Sequence, residues 1–134
     1  MYGSESCVDS GNLIRELEVI DMRVSRMIAE KSRWNQWQDR ISNGSIRSEL
    51  VIDSVDEAAR KSRLRWWGHI QKMRDNRLSK QILSAGHIGK RNRGRPRKPW
   101  LESVRNNLEI RDLDFSKASV MARNYGAWRE VVRG

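Results

Sequence analysis

The sequence predicts an all-α protein, a small irregular helical bundle of about five helices with a basic extended loop at about residues 84–98. Three observations favour this fold. Apolar residues recur at steps of three and four along most of the chain, which is the period of a helix with one buried face. The segment Ser54-Val-Asp-Glu57 is a capping box, in which side chains satisfy free backbone N–H groups at a helix start. Strand-like alternation is missing after residue 10.

The first predicted helix covers residues 12–28, with Asp9 or Ser10 available to cap its start. Its apolar stripe consists of Leu13, Leu17, Ile20, Val24, Met27 and Ile28. Residues 31–44 lose the helical period, so we expect a loop that carries Trp34 and Trp37. Ser45 is then expected to cap one short turn that ends at residue 50.

The capping box at Ser54 predicts the next helix, and a smaller helix is expected over residues 77–83, closing at Gly86. The predicted buried stripe of the longer helix consists of Val55, Ala59, Ser62, Trp66, Ile70 and Met73. Residues 84–98 contain three glycines, Pro96 and six cations without an apolar period, which predicts an extended loop able to reach a partner.

Two further helical regions are predicted after this loop. Pro99 suits the first turn of a helix that buries Trp100, Leu101, Val104 and Leu108 and that breaks at residues 112–114. Ser116 opens the last region, in which Asn124 is a candidate cap for a separate final helix. Three parts are therefore expected, residues 1–83, 84–98 and 99–134, and we expect them to form one compact unit.

Composition limits the class of protein. The chain has 134 residues, 37% of them apolar and 33% charged, which is nearer to a globular than to a disordered composition. No apolar run approaches the roughly 20 residues that cross a bilayer, so we expect a soluble intracellular protein. Cys7 is the only cysteine, and the histidines His69 and His87 have no acidic residue at a metal-ligand spacing. We therefore predict no disulfide, no metal site and no cofactor.

Positive charge is concentrated in two segments. The formal net charge is +10, yet residues 60–80 alone carry +7 and residues 90–98 carry +6, so the rest of the chain is net negative. Clustered Lys and Arg side chains are what a polyanion-binding surface requires, because each cation placed at a phosphate releases condensed counterions. The charge pattern therefore predicts a nucleic-acid partner and no membrane or small-molecule substrate.

Two motifs stand at these basic segments, Arg63-Leu-Arg-Trp-Trp-Gly-His-Ile70 and Gly89-Lys-Arg-Asn-Arg-Gly-Arg-Pro-Arg97. With residues 1–6, 18–24 and 75–78, and with Trp128-Arg129, they follow one another in an order that resembles the C-terminal region of reverse transcriptases from non-LTR retrotransposons, the jockey-like, long interspersed element type. The resemblance covers nearly the whole chain. It implies a thumb-like and post-thumb helical region, with residues 1–83 thumb-like, that holds a template–primer duplex behind a polymerase site.

The chain also departs from this family. The paired aspartates of its aromatic-x-Asp-Asp signature, which would hold two catalytic metal ions, are nowhere in the sequence. Residues 34–38 look like an insertion, and Asn124-Tyr-Gly stands where the family often has Asp-Arg. No nucleophile motif is recognisable either. We therefore predict that the chain is not an enzyme, although the family it resembles is that of RNA-directed DNA polymerases.

Alternatives stay open for the basic loop. Arg93-Gly-Arg-Pro96 resembles an AT-hook, in which arginines enter a narrow A·T-rich minor groove while glycine permits close approach and proline favours extension. The same residues fit general phosphate contacts, a nuclear localisation signal or a passive charged linker. In the helix before the loop, Trp66 fits the buried stripe, and Trp67 is the candidate for a second helix contact or for base stacking.

These observations predict a non-catalytic, nucleic-acid-binding fragment of a retrotransposon reverse transcriptase, nuclear in location. It would grip the phosphate backbone of a template–primer-like duplex or of RNA. The alternatives are an AT-hook-like minor-groove binder and a helical protein-interaction module or remnant without selected function. The predicted nucleic-acid-binding residues are Arg60, Lys61, Arg63, Arg65, Trp67, Lys72, Arg74, Lys90, Arg91, Arg93, Gly94, Arg95, Pro96, Arg97 and Lys98.

Overall fold

A computed structural model describes residues 11–85 and 99–134, and every regular element in these residues is an α-helix. The all-α prediction is confirmed, although the described residues form eight helices where about five were expected. The helices are α1 (Gly11–Ile28), α2 (Arg33–Gln38), α3 (Asn43–Leu50), α4 (Val55–Lys72), α5 (Leu78–Ser84), α6 (Trp100–Glu109), α7 (Phe115–Met121) and α8 (Tyr125–Arg133).

The chain divides into two compact units, and the boundary falls between Ala59 and Arg60, inside α4. The first unit contains α1 to α3 and the first turn of α4. The second contains the rest of α4 and all later helices. The expected separation at residues 84–98 lies mostly outside the described residues and stays a prediction.

In the first unit α1 packs against α3, and the contact buries Met22 and Ser25 of α1 and Ile46 of α3. An ion pair of 3.4 Å joins Arg47 to Asp21 across the same two helices. The side of α1 that faces α3 thus combines the apolar Met22 with the polar Ser25 and Asp21. Most of the predicted apolar stripe lies on another, open side, where Leu13, Ile20, Val24 and Met27 are 47, 59, 48 and 73% exposed. The expectation that this stripe is the buried face is therefore wrong except at Leu17, which is half-buried.

The loop predicted for residues 31–44 is also wrong in part, because it contains α2 and the start of α3. Ser32 caps α2 by accepting the backbone N–H of Asn35 at 3.1 Å. Ser42, not Ser45, caps α3, and the Ser45 N–H donates to its hydroxyl at 3.0 Å. Helices of six and eight residues are too short to display an apolar period, so their serine caps are the main sequence signal for them.

The predicted helix start at Ser54 is confirmed, since the Glu57 backbone N–H donates to the Ser54 hydroxyl at 3.2 Å, which is the serine half of the capping box. At the other end of the chain Asn124 caps α8, accepting from the Gly126 N–H at 3.0 Å and the Ala127 N–H at 3.3 Å. The helix predicted from Ser116 begins at Phe115, and Asp114 is its cap.

The core of the second unit forms where α4, α6, α7 and α8 meet. Its fully or nearly fully buried residues are Leu64, Trp67, Val104, Leu108, Ala118, Ala122, Trp128 and Val132. The Trp67 ring lies at its centre, 5.1 Å from the Trp128 ring and 5.4 Å from the Phe115 ring, centroid to centroid. Trp128 is part of this core, and the expected burial of Trp100 is confirmed at its edge, where the side chain is partly buried.

Candidate nucleic-acid interface

Three cations share one face of α4. Lys61, Arg65 and Lys72 are four and seven residues apart, so at about 100° per residue they point within about 40° of one another. Arg65 and Lys72 are exposed, and Lys61 is half-buried. The face extends about 16 Å along the helix axis, at about 1.5 Å per residue. We call Lys61, Arg65 and Lys72 the cation face of α4.

Tyr125 of α8 borders this face. The Lys72 ammonium lies 4.8 Å from the centroid of the Tyr125 ring, and the tyrosine side chain is 71% exposed. A cation above an aromatic ring is attracted to its negative face while keeping its outer side in water. The contact therefore orients Lys72 without removing its charge from the surface.

The position of α8 beside α4 depends on a close approach at Gly68. A Cβ built on Gly68 would lie 2.0 Å from Nε1 of Trp128, so only glycine leaves room for this indole. The Trp128 Nε1–H donates to the backbone oxygen of Leu64 at 3.2 Å, in a buried hydrogen bond. Because Trp128 meets Gly68 while Tyr125 meets Lys72, α8 runs antiparallel to α4 at this contact.

Arg129 follows Trp128 on α8 and is exposed. It was not among the predicted binding residues, nor was Tyr125. The signal that could have indicated Arg129 is its place directly after Trp128, in a pair that the family resemblance already included. These two residues extend the candidate surface from α4 to α8.

At the C-terminal end of α4 the charges are partly neutralised. Lys80 forms an ion pair of 2.7 Å with Asp75 and donates to the backbone oxygen of Met73 at 2.9 Å. The hydrogen bond from Lys80 and its positive charge, with a further contribution from Arg123, lower the pKa of Asp75 below its ordinary value of 3.8. Arg74 remains exposed beside this pair.

Two residues of α4 that were predicted to bind nucleic acid are buried, and the prediction is wrong for them. Arg63 is 6% exposed and Trp67 is 0% exposed, so neither presents a surface to a polyanion in this structure. Both lie on the side of α4 that meets the core, away from the cation face. Of the two roles predicted for Trp67, the structure favours the contact with a second helix over base stacking. Arg60 is half-buried on this side of the helix.

Trp66 is the tryptophan of the pair that reaches the surface. It is half-buried, and its ring centroid lies 5.5 Å from that of the exposed His69, with 32° between the ring planes. Together with Ser62 and Arg65 these rings line a shallow depression on α4. The predicted stripe of α4 is buried at Val55, Ala59 and Ile70 and only half-buried at Ser62, Trp66 and Met73. The fully buried side runs through Leu64 and Trp67, which the stripe did not include.

The basic segment of residues 90–98 lies outside the described residues. The contacts predicted for this segment therefore stay predictions, namely those of Lys90, Arg91, Arg93, Gly94, Arg95, Pro96, Arg97 and Lys98. Within the described ranges no group of three or more His, Cys, Asp or Glu side chains could hold a metal ion. None of the helices described is long and apolar enough to cross a membrane.

Comparison of the chain with protein-family models, with curated proteins and with solved structures gives no match. The similarity to retrotransposon reverse transcriptases therefore rests on the motifs quoted from the sequence and stays a prediction.

Proposed function

We propose that this chain is a non-catalytic nucleic-acid-binding fragment that contacts the phosphate backbone through the cation face of α4. The observation that carries the proposal is the exposed alignment of Arg65 and Lys72, with Lys61 on the same side of the helix. A duplex presents one phosphate per strand about every 3.4 Å along its axis, so a face about 16 Å long spans several phosphates.

The packing of the second unit supports a rigid presentation of these charges. The Trp128 indole over Gly68 and its bond to the Leu64 oxygen hold α8 against α4, and Lys72 is oriented by Tyr125. Cations held in place lose less conformational entropy on binding than free side chains do. Phosphate contacts position a nucleic acid but do not read bases, so the proposed binding is tolerant of sequence.

The basic segment of residues 90–98 adds six cations by its sequence. We propose that it extends the backbone contact, either along the phosphates or, through Arg93, Arg95 and the intervening Gly94, in an A·T-rich minor groove. The order of the motifs supports an origin in the thumb region of a non-LTR reverse transcriptase, and a nuclear location accords with such a partner.

Equilibrium binding to four ligands of equal length tests the proposal. Fluorescence anisotropy at one fixed salt concentration would compare mixed-sequence duplex DNA, A·T-rich duplex DNA, an RNA–DNA hybrid and double-stranded RNA. Backbone binding predicts affinities within about tenfold of one another. A preference above tenfold for the A·T-rich duplex would support the minor-groove alternative instead. Absence of salt-dependent binding to all four ligands would overturn the proposal.

A further inference from the structure

Trp66 borders two open hollows of the second unit. Its side chain lines an apolar groove with Ile70, Ile82, Leu83 and Trp100, and it also lines the depression with Ser62, Arg65 and His69. The half-buried indole is therefore accessible beside Arg65, which belongs to the cation face of α4.

We infer that Trp66 stacks against an unpaired nucleobase of a single strand whose phosphate is held by Arg65. Indole is the side chain on which bases stack best, and every base has a π-face, so the contact does not select a sequence. The neighbouring His69 ring, tilted by 32° from the indole, adds a second aromatic surface, and the Ser62 hydroxyl offers a hydrogen bond at the rim of the depression.

The ligand class follows from the chemistry of stacking. A base inside a duplex already stacks on its neighbours, and freeing it costs a few kcal/mol. A single strand presents its bases at a much smaller cost. The inference rests on the proposed function and refines it, because phosphate contacts alone do not distinguish a duplex from a single strand, whereas an open indole does.

A substitution at Trp66 separates stacking from phosphate contact. Trp66→Leu keeps an apolar side chain toward the groove and removes the ring. The probes are an oligothymidylate and an abasic strand of the same length. We expect Trp66→Leu to weaken oligothymidylate binding about 5- to 150-fold, the range of one base–aromatic stack, and to leave the abasic strand unchanged. Trp66→Phe, which keeps a ring and tests the same site if the leucine variant does not fold, should lose less.

Trp37→Leu is the matched control, since Trp37 is 73% exposed and belongs to the first unit. It should bind both strands as the unaltered protein does. Equal weakening on both strands, or none in the folded Trp66→Leu and Trp66→Phe variants, would overturn the inference while leaving the backbone proposal standing. Failure of the unaltered protein to bind either strand in a salt-dependent way would overturn the backbone proposal itself.

A second inference comes from α1, where Leu13, Leu17, Ile20, Val24 and Met27 follow one another at alternating steps of four and three. This is the repeat by which two helices pack along a shared apolar seam. Four of these side chains are 47 to 73% exposed, on a helix of 18 residues. Isolated exposed apolar residues are ordinary, but a contiguous stripe of this kind marks an interaction surface.

The flanking charges point to a second copy of this chain in antiparallel orientation. With the two-fold axis between residues 18 and 19, Leu13 of one copy meets Val24 of the other, and Leu17 meets Ile20. The exposed Glu16 of each copy then lies beside the exposed Arg23 of the other. A parallel pair would instead bring Glu16 near Asp21, and the two carboxylates would repel each other.

Sedimentation equilibrium of the full chain tests this pairing. The unaltered protein should form a dimer, Arg23→Glu should weaken it by placing Glu16 beside a like charge, and Glu16→Arg/Arg23→Glu should restore it. Arg15→Glu is the control of equal charge change on another side of the helix. Val24→Asp, which removes an apolar contact and leaves Glu16 and Arg23 in place, should abolish the dimer. A monomer at all concentrations, or a dimer indifferent to Val24→Asp and Arg23→Glu, would overturn the inference.

Discussion

The close contact between Gly68 and Trp128 predicts that Gly68→Ala, which adds a single methyl group to α4, destabilises the protein. In Gly68→Ala the new Cβ would lie 2.0 Å from Nε1, 2.5 Å from Cδ1 and 2.6 Å from Cε2 of the Trp128 indole. The indole has little room to withdraw, because Trp128 is 4% exposed and packs against Trp67 with 5.1 Å between ring centroids.

The expected magnitude combines three effects. Overpacking of a core costs about 1–3 kcal/mol. Displacement of the indole breaks its hydrogen bond to the Leu64 oxygen, which is worth about 0.5–1.5 kcal/mol. Alanine favours a helix over glycine by about 1 kcal/mol and offsets part of this. We expect Gly68→Ala to lower the free energy of unfolding by about 2 kcal/mol.

Urea unfolding followed by far-UV circular dichroism measures this change. Gly126→Ala in α8 is the matched control, because its Cβ would meet only the Asn124 Oδ1 atom, at an ordinary 3.5 Å, and it should be neutral or slightly stabilising. In a Trp128→Leu background the cost of Gly68→Ala should shrink, since the obstructing ring is gone. If Gly68→Ala were as stable as the unaltered protein, the proposed packing of α8 on α4 would be refuted.

Three further predictions concern the second unit. Asn124→Ala removes the cap that accepts two backbone N–H groups of α8 and should cost about 1 kcal/mol in urea unfolding; no change would contradict the capping role. Leu64→Ala, at a fully buried position, should cost about 2–5 kcal/mol in the same assay, and a cost below about 1 kcal/mol would contradict its burial. The backbone N–H groups of Ser116 and Lys117 donate to Asp114 and lower its pKa below the ordinary value of 3.8. The stability that this carboxylate contributes is therefore present above pH 3.8 and is lost as the pH falls through the lowered pKa. Asp114→Asn should therefore flatten part of the acid decline of the melting temperature; parallel pH profiles would contradict this.

The sequence predicted much of the helical architecture because caps and apolar periods are local signals. Ser54 and Asn124 both cap helices where expected. The period also located the core of α6 at Val104 and Leu108. Helix α2 escaped prediction, since its six residues are too few to show a period.

Which face of a helix is buried depends on its neighbours, and a single sequence does not specify them. In α4 the expected stripe is buried at Ile70 but only half-buried at Trp66, whereas Trp67 lies in the core on the side where α8 packs over Gly68. Trp66, and not Trp67, is therefore the tryptophan of the pair that reaches the surface. In α1 the side with Met22 and Ser25 packs on α3, and most of the apolar stripe lies outside this contact. Arg63 shows that a cation within a basic run can still lie in the interior.

The salt dependence of binding tests the cation face most directly. The slope of log K against log salt would be compared for duplex DNA with the unaltered protein and with Arg65→Gln/Lys72→Gln. Each phosphate contact contributes about 0.9 to this slope, so the double variant should be less steep by about 1.8. Arg15→Gln/Lys117→Gln removes two exposed cations outside α4 and should leave the slope unchanged. Equal slopes for the unaltered protein and the Arg65→Gln/Lys72→Gln variant would contradict the account.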